Sequence, residues 1–469
     1  MLNIQEQNSG KLAPGPGLIA FLGAVVRNRK QSLHLFQELF ETYGKNVFFR
    51  FGSIPYLFTQ DEKLIEAICL DRENEFIKGN GYENLHPIMG KGLFTANQEQ
   101  WEKSRKISKP AFHRDRYAPF LKTIEDSLKR RLDVWERDGT KSVLLLSEMN
   151  ELTLEIICRA LFGQDLGDHL KEITDAVTVL VHESVYQRDS FFRAFDMIPG
   201  LGTIPVSHWL YHHVPTPSLA RFRKACKVIE DTALEIIQRR KKSGELGDDL
   251  LSRYLGETSD EIQIRDEVMT MILVGHETTA TALTWLFMEL SRNPKWVDAI
   301  REESKDALSE SPLSFEMLSA QKSMQAVWSE TLRLYPPLWR FSRQVFEEKV
   351  VAGVRIPKGT VMAVFPYCNH RDPKFWNDPN TFMPERFMKG PDTSFAKFAY
   401  IPFGHGVRFC IGKYFALMEA LVIVPRILER YDLKVENIDE IQMDPKISLR
   451  PNTEVKTTLI RRTAGARVQ

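Results

Sequence analysis

The chain of 469 residues has little to hold it together covalently and little to carry it across a membrane. Its five cysteines, Cys69, Cys158, Cys226, Cys368 and Cys410, are odd in number and far apart. That excludes a disulfide framework and fits a reducing compartment, so a cytoplasmic protein is expected. The opening residues lack a basic stretch leading into an apolar core, so no secretory leader is expected. The apolar run from Leu18 to Val26 falls far short of the roughly 20 residues that span a bilayer, and no transmembrane anchor is expected. A formal net charge of +1 removes the global basic field on which a nucleic-acid partner would depend. Internal repeats, low-complexity tracts and an interdomain linker are also missing.

What is present is the balance of an ordinary globular protein, 43 % apolar and 27 % charged. Residues 47–57 alternate and carry aromatics, which predicts a strand pair turning near Gly52 and Ser53. Helical periodicity then predicts helices over 61–70, 99–110, 117–137, 144–162, 168–187, 219–243, 261–292, 294–308 and 320–334, with one more over 410–431. The expected architecture is mainly α: a single domain over 1–469, with a small β-rich portion at about 45–60 and 340–365 and a C-terminal hairpin. The glycine-rich connection 73–95 is long for a compact domain, and such connections are usually functional.

The strongest chemical signal is Phe403-Gly404-His405-Gly406-Val407-Arg408-Phe409-Cys410-Ile411-Gly412. A lone cysteine among apolar residues is usually an inert core thiol. Here glycines let the backbone approach a partner closely, Arg408 adds a fixed cation, and a helix begins beside Cys410. A helix N-terminus and a cation both favour the thiolate, the form that ligates metals. Two further patterns accompany it. Glu330-Thr-Leu-Arg333 lies about eighty residues upstream, with Pro384-Glu-Arg386-Phe between. Val274-Gly275-His276-Glu277-Thr278-Thr279 interrupts the longest helical stretch with a glycine that costs about 1 kcal/mol there and an acid that needs a reason.

Together these residues resemble the signatures of the cytochrome P450 family, and the resemblance runs over nearly the whole chain. It implies a triangular helical prism with a β-rich corner, and haem b (iron protoporphyrin IX) ligated through its iron by Cys410. It implies that Arg408, Trp101, Arg105 and Arg343 reach the haem propionates, that Phe403, Gly404 and Gly275 pack about the haem, and that Glu330, Arg333 and Arg386 interlock to hold the proximal loop. Thr278 and Glu277 would deliver protons in a monooxygenation, RH + O2 + two electrons + two protons giving ROH + water. Val274 stands where the family has alanine or glycine, which implies a narrower distal space.

The implied pocket for a hydrophobic substrate (fatty acid, terpenoid or retinoid-like) draws on Phe94, Met271, Val274, Leu338, Trp339, Arg340, Ile447 and Ser448. Arg340 either anchors a substrate carboxylate or turns away to a propionate or solvent. Nothing in the chain binds flavin or an iron–sulfur cluster, so a ferredoxin with its reductase, or a flavodoxin, is the implied electron donor. Lys103, Lys106, Lys109 and Lys413 are candidates for its docking patch, or plain solvated surface. A monomer is expected. A peroxide-driven hydroxylase or a non-catalytic haem-binding protein of the same fold remains the alternative, although neither needs the Glu277-Thr278 pair.

Overall fold

The computed structural model describes residues 10–28, 32–71, 75–83, 85–167, 169–189, 214, 216–309, 311–389 and 397–462. The first nine residues, on which the leader reading rests, lie outside them. Helices dominate: α1 (Leu18–Arg27), α2 (Ser32–Tyr43), α3 (Glu62–Cys69), α4 (Gln98–Ser108), α5 (Tyr117–Arg137), α6 (Leu145–Phe162), α7 (His169–Asp189), α8 (Pro217–Ser243), α9 (Leu250–Glu257), α10 (Glu261–Arg292), α11 (Pro294–Ser309), α12 (Lys322–Leu334) and α13 (Lys413–Arg430). Helices α1, α2 and α9 were not expected from periodicity. The expected start at 144 is displaced because Leu144 ends a short strand, β4 (Ser142–Leu144), that pairs with Lys456–Arg461.

Strands occur in the expected zones, and further ones lie outside them at Phe76–Ile77 and in a three-stranded sheet of Ser142–Leu144, Lys456–Arg461 and Tyr431–Val435. Strands β1 (Asn46–Phe51) and β2 (Ile54–Thr59) form the hairpin, and β3 (Phe76–Ile77) joins them through the 341–364 region. There β5 (Phe341–Val345) and Val361–Val364 complete a five-stranded sheet. Close to the C-terminus, Met443–Pro445 pairs antiparallel with Leu449–Pro451, leaving Lys446 to Ser448 at the hairpin tip.

Helix α10 is the axis of the main core. Its 32 residues run roughly 48 Å at 1.5 Å per residue. Asp260 caps its N-terminus by accepting from the Ile262 and Gln263 amides, and Pro294 starts α11 two residues beyond its end. Its neighbours are α6, α8, α12 and α13. At Gly275 a built Cβ would lie 2.9 Å from Ile157 Cγ1 of α6, so the glycine lets these two helices close on each other. We expect Gly275→Leu to cost about 1–3 kcal/mol by overpacking. Adding Ile157→Ala should recover much of it in a melting experiment, and purely additive losses would show that the contact is unimportant.

Candidate haem-thiolate site

The loop before α13 is shaped by hydrogen bonds to its own backbone. The Gly404 amide donates to Ile401 O and the Cys410 amide to Phe403 O, both at 3.0 Å. Gly404 and Gly406 both have φ of +70°, and a side chain at Gly406 would strike Cys69 O at 1.9 Å. Cys410 is surrounded by the fold, yet its side chain is exposed. Burial pushes its thiol up; the Gly412 and Lys413 amides and the Arg105 cation pull the other way by favouring the thiolate. Helix α13 begins at Lys413, slightly later than expected, so Cys410 stands just before its first turn.

Behind the loop sits the ion network. Glu330 and Arg333 on α12 are fully buried and paired through two hydrogen bonds, Nε to Oε2 at 2.7 Å and Nη2 to Oε1 at 2.8 Å. Arg386 Nε stands 3.5 Å from Glu330 Oε1, and the Met383 amide donates to the same oxygen at 2.8 Å. Arg333 spends its other hydrogens on the carbonyls of His370, Pro379 and Thr381. Sequence reading missed His370. Its Nε2 accepts from the Ile401 amide at 2.9 Å, so Nδ1 carries the proton toward Arg333 O at 3.2 Å. Burial and the Arg333 cation hold it neutral, with a pKa lowered to about 3. The signal, an Asn-His-Arg triplet, is too common to have marked it.

A cluster of cations lies on another side. Arg408 stacks over Trp101 at 4.4 Å and donates to Ala96 O at 2.7 Å. Arg343 is buried, with Tyr82 Oη 3.5 Å from its Nη1. Lys78, also missed from sequence, is buried with its Nζ 4.9 Å from the Tyr82 ring centroid and 4.6 Å from that of Phe94. Burial and the Arg343 charge pull Arg408 down to about 9; burial, Arg343 and Arg408 pull Lys78 well down too. A cavity of about 190 Å³ opens beside Trp101, Arg343 and Arg408. Mutually repelling buried cations fit a dianionic group such as a pair of propionates. Arg105, one turn after Trp101, has its charge disfavoured by burial and interacts with the Cys410 thiolate.

Between Asp266 and Leu290, α10 is buried except at Val274, Gly275 and Thr278. At 100° per residue these three fall within an arc of about 100°, so one narrow stripe of the helix meets open space. Met271 falls within that arc, one turn nearer the helix N-terminus, but is packed in the core, against the expected pocket role. Thr278 Oγ1 donates to Val274 O at 3.0 Å. Glu277 points elsewhere: Ser448 Oγ donates to its Oε1 at 2.5 Å, and burial raises its pKa.

Two further pocket expectations need correcting. Ser448 is fully buried by its bond to Glu277. Trp339 is buried against Phe36 and Phe365, with its Nε1 donating to Lys446 O at 2.9 Å. Leu338 and Arg340 stay partly open where Trp339 does not, and Ile447 where Ser448 does not. Arg340 lies over the Trp339 ring at 5.0 Å. Phe94 is partly buried in a loop tied to α10: Asp266 accepts from the Lys91 amide at 2.8 Å and Glu267 from Leu93 at 3.0 Å. Of the four lysines, Lys103, Lys106 and Lys109 are exposed and Lys413 is partly so.

The family model described as Cytochrome P450 matches residues 13–458. Similar proteins include cyclooctatin synthase of Streptomyces melanosporofaciens, 28 % identical with 92 % of each chain covered. A cytokinin hydroxylase of Arabidopsis thaliana is 31 % identical over 84 % of this chain and 77 % of its own. The Arabidopsis protein LUTEIN DEFICIENT 5, chloroplastic, is 29 % identical over 93 % and 75 %. The chain therefore belongs to the cytochrome P450 family, with the family's fold, haem b as cofactor, and monooxygenation with O2 and a redox partner as its activity. Among the described residues, no helix is long and apolar enough to cross a membrane.

The buried pair gives a direct test. Glu330→Ala leaves Arg333 and Arg386 beside an empty acceptor, at a cost of about 3–5 kcal/mol. Haem content and melting temperature should fall together, and a variant with parental values for both would mean the pair is dispensable.

Proposed function

We propose that this enzyme hydroxylates a hydrophobic small molecule, a fatty acid, terpenoid or retinoid-like compound, in the cytoplasm, with electrons from a ferredoxin and its reductase or from a flavodoxin. The observation that carries the reading is the open stripe Val274–Gly275–Thr278 on an otherwise buried helix. Partly open apolar side chains at Phe94, Leu338 and Ile447 supply further walls for an apolar substrate. The cytokinin hydroxylase among the relatives supports hydroxylation of a small molecule. Exposed Lys103, Lys106 and Lys109 suit an acidic electron carrier.

Bound haem supplies the activation of oxygen and its transfer to a C–H bond. Cys410 holds the iron through its sulfur, and Arg343, Arg408 and Lys78 hold the propionates, with Trp101 flanking them. Arg105 favours the thiolate. Thr278 has its proton committed to Val274 O, which leaves its oxygen lone pairs facing the open stripe as acceptors. Glu277, with its pKa raised, is a proton reserve pinned to Ser448 at the C-terminal hairpin. It serves Thr278 only after leaving that bond or through intervening water.

Two measurements test the reading. The reduced protein under carbon monoxide should show the absorption band typical of thiolate ligation, and Cys410→Ser should abolish both band and turnover. A retained band would remove Cys410 from the iron. Thr278→Ala should keep haem and substrate binding while more reducing equivalents end as peroxide or water. Equal product per electron in variant and parent would take Thr278 out of proton delivery, and turnover driven better by peroxide than by a reduced carrier would make the enzyme a peroxygenase.

A further inference from the structure

The segment from Met89 to Leu93 lies flush on α10. A side chain at Gly90 would strike Asp266 Cγ at 2.1 Å, and one at Gly92 would strike Asp266 O at 2.7 Å. Thr270 Oγ1 donates to Met89 O, and the Lys91 and Leu93 amides donate to Asp266 and Glu267. The two acids differ in their company. Asp266 is answered by the Arg265 guanidinium at 2.8 Å, which also reaches Glu230 of α8. Glu267 is 1 % exposed, and the charge that acts on it is that of Asp266, of its own sign. Its Oε2 accepts from Leu93, while its Oε1 is buried with no hydrogen-bond partner among the described residues.

Side chains from α9 and α4 complete the enclosure. Tyr254 of α9 donates to Ser104 O at 3.1 Å, with Ser108 Oγ 2.9 Å from its hydroxyl. Ser104 of α4 is fully buried, and its Oγ, like Glu267 Oε1, has no partner at hydrogen-bonding distance. Burial pushes the Glu267 carboxyl up to about 7; Ser104, the Leu93 amide and Tyr254 pull the other way, and Asp266 adds to the push. The other titratable groups on these elements are Tyr254, raised by burial and Glu267, and His86 before the segment, lowered by burial and Lys91.

A seated segment keeps water from this carboxyl, and a lifted one admits it. The proton therefore binds more tightly in the seated form, at about 7 against about 4.3 for a hydrated glutamate. By linkage the seated form is favoured where the acid is neutral and loses that advantage as pH rises through 7. We propose that Glu267 is a positioning residue, which seats the segment before Phe94 as a neutral acid and releases it on ionising. This does not depend on which substrate is oxidised; that Phe94 carries the motion to the pocket rests on the function proposed above.

The test is hydrogen–deuterium exchange of the full-length holoprotein, read on peptides covering residues 89–96 and corrected for the intrinsic rate at each pH. Protection in the parent should fall roughly tenfold between pH 6 and pH 8. Glu267→Gln, neutral at every pH, should hold its protection across that range. Ser104→Ala removes a donor to the carboxylate and should move the midpoint to higher pH, a shift that a merely structural role would not produce. Flat protection in the parent, or a fall in Glu267→Gln equal to the parent's, would overturn the proposal. If Glu267→Gln fails to retain haem, Ser104→Ala decides, and an unmoved midpoint overturns it. Carbon monoxide rebinding to the reduced protein after flash photolysis reads the pocket separately. It should quicken above pH 7 in the parent alone; a segment that loosens while rebinding stays unchanged keeps the assignment of Glu267 and removes Phe94 from the pocket wall.

Discussion

The proximal half of the site depends on one buried charge, the carboxylate of Glu330. A lone carboxylate at that depth would be untenable, and this one is matched by Arg333 at 2.7 and 2.8 Å, with Arg386 and a backbone amide beside it. The consequence is geometric. Arg333 gathers the carbonyls of His370, Pro379 and Thr381, which lie in the irregular stretch that follows the short helix Pro366–Asn369. His370 carries the restraint onward to the Ile401 amide, and Ile401 O accepts from Gly404 in the loop that ends at Cys410. A continuous hydrogen-bonded path therefore links α12 to the sulfur. A pair that yields little net stability on its own can still fix a ligand position this way, because Glu330, Arg333, His370 and Ile401 at the centre of the path are buried.

The distal half is held differently, by one long helix and the chain segments pinned to it. Trp285 Nε1 donates to Leu449 O at 2.8 Å, and Glu277 accepts from Ser448, so the C-terminal hairpin is sewn to α10 at two heights. Asp266, Glu267 and Thr270 do the same for the 89–93 segment before Phe94. Both flanking segments are short, and both are tied to polar side chains of α10 that look anomalous in a buried helix. The acids noticed in that helix are fasteners at least as much as reagents.

What was legible in the sequence was local. The Glu330–Arg333 pair sits at i, i+3, the length of α10 follows from its periodicity, and the glycines around Cys410 announce an unusual backbone. What was not legible came from contacts between distant segments. Nothing near Lys78 foretells Arg343 and Arg408, and nothing near Ser448 foretells Glu277, 171 residues away. The three misplaced pocket residues are each closed off by long-range packing. Met271 shares the arc of the open stripe but lies one turn nearer the helix N-terminus, inside the core, while Trp339 and Ser448 adjoin open residues and are themselves buried by Phe36, Phe365 and Glu277. Proximity in sequence was taken for shared exposure. The helices α1, α2 and α9 are short and rely on tertiary contacts more than on their own periodicity.

The cation cluster links the two halves to folding itself. Lys78 comes from the segment before Phe94, Arg343 from β5 and Arg408 from the cysteine loop, so three parts of the chain meet where like charges repel. Burying them together without a counter-charge opposes folding: burial first, and then the neighbouring cations, lower the pKa values of Lys78 and Arg408. A group with two carboxylates reverses the sign: the same cations that resist assembly become its donors. Because the unfolded chain cannot gather them, the group binds the native state alone and stabilises it by mass action. The proximal network is complete without any such partner, whereas the cation cluster calls for one. Haem should therefore matter most to the order of the segments that carry Lys78, Arg343 and Arg408, and least to α12 and the coil that Arg333 holds.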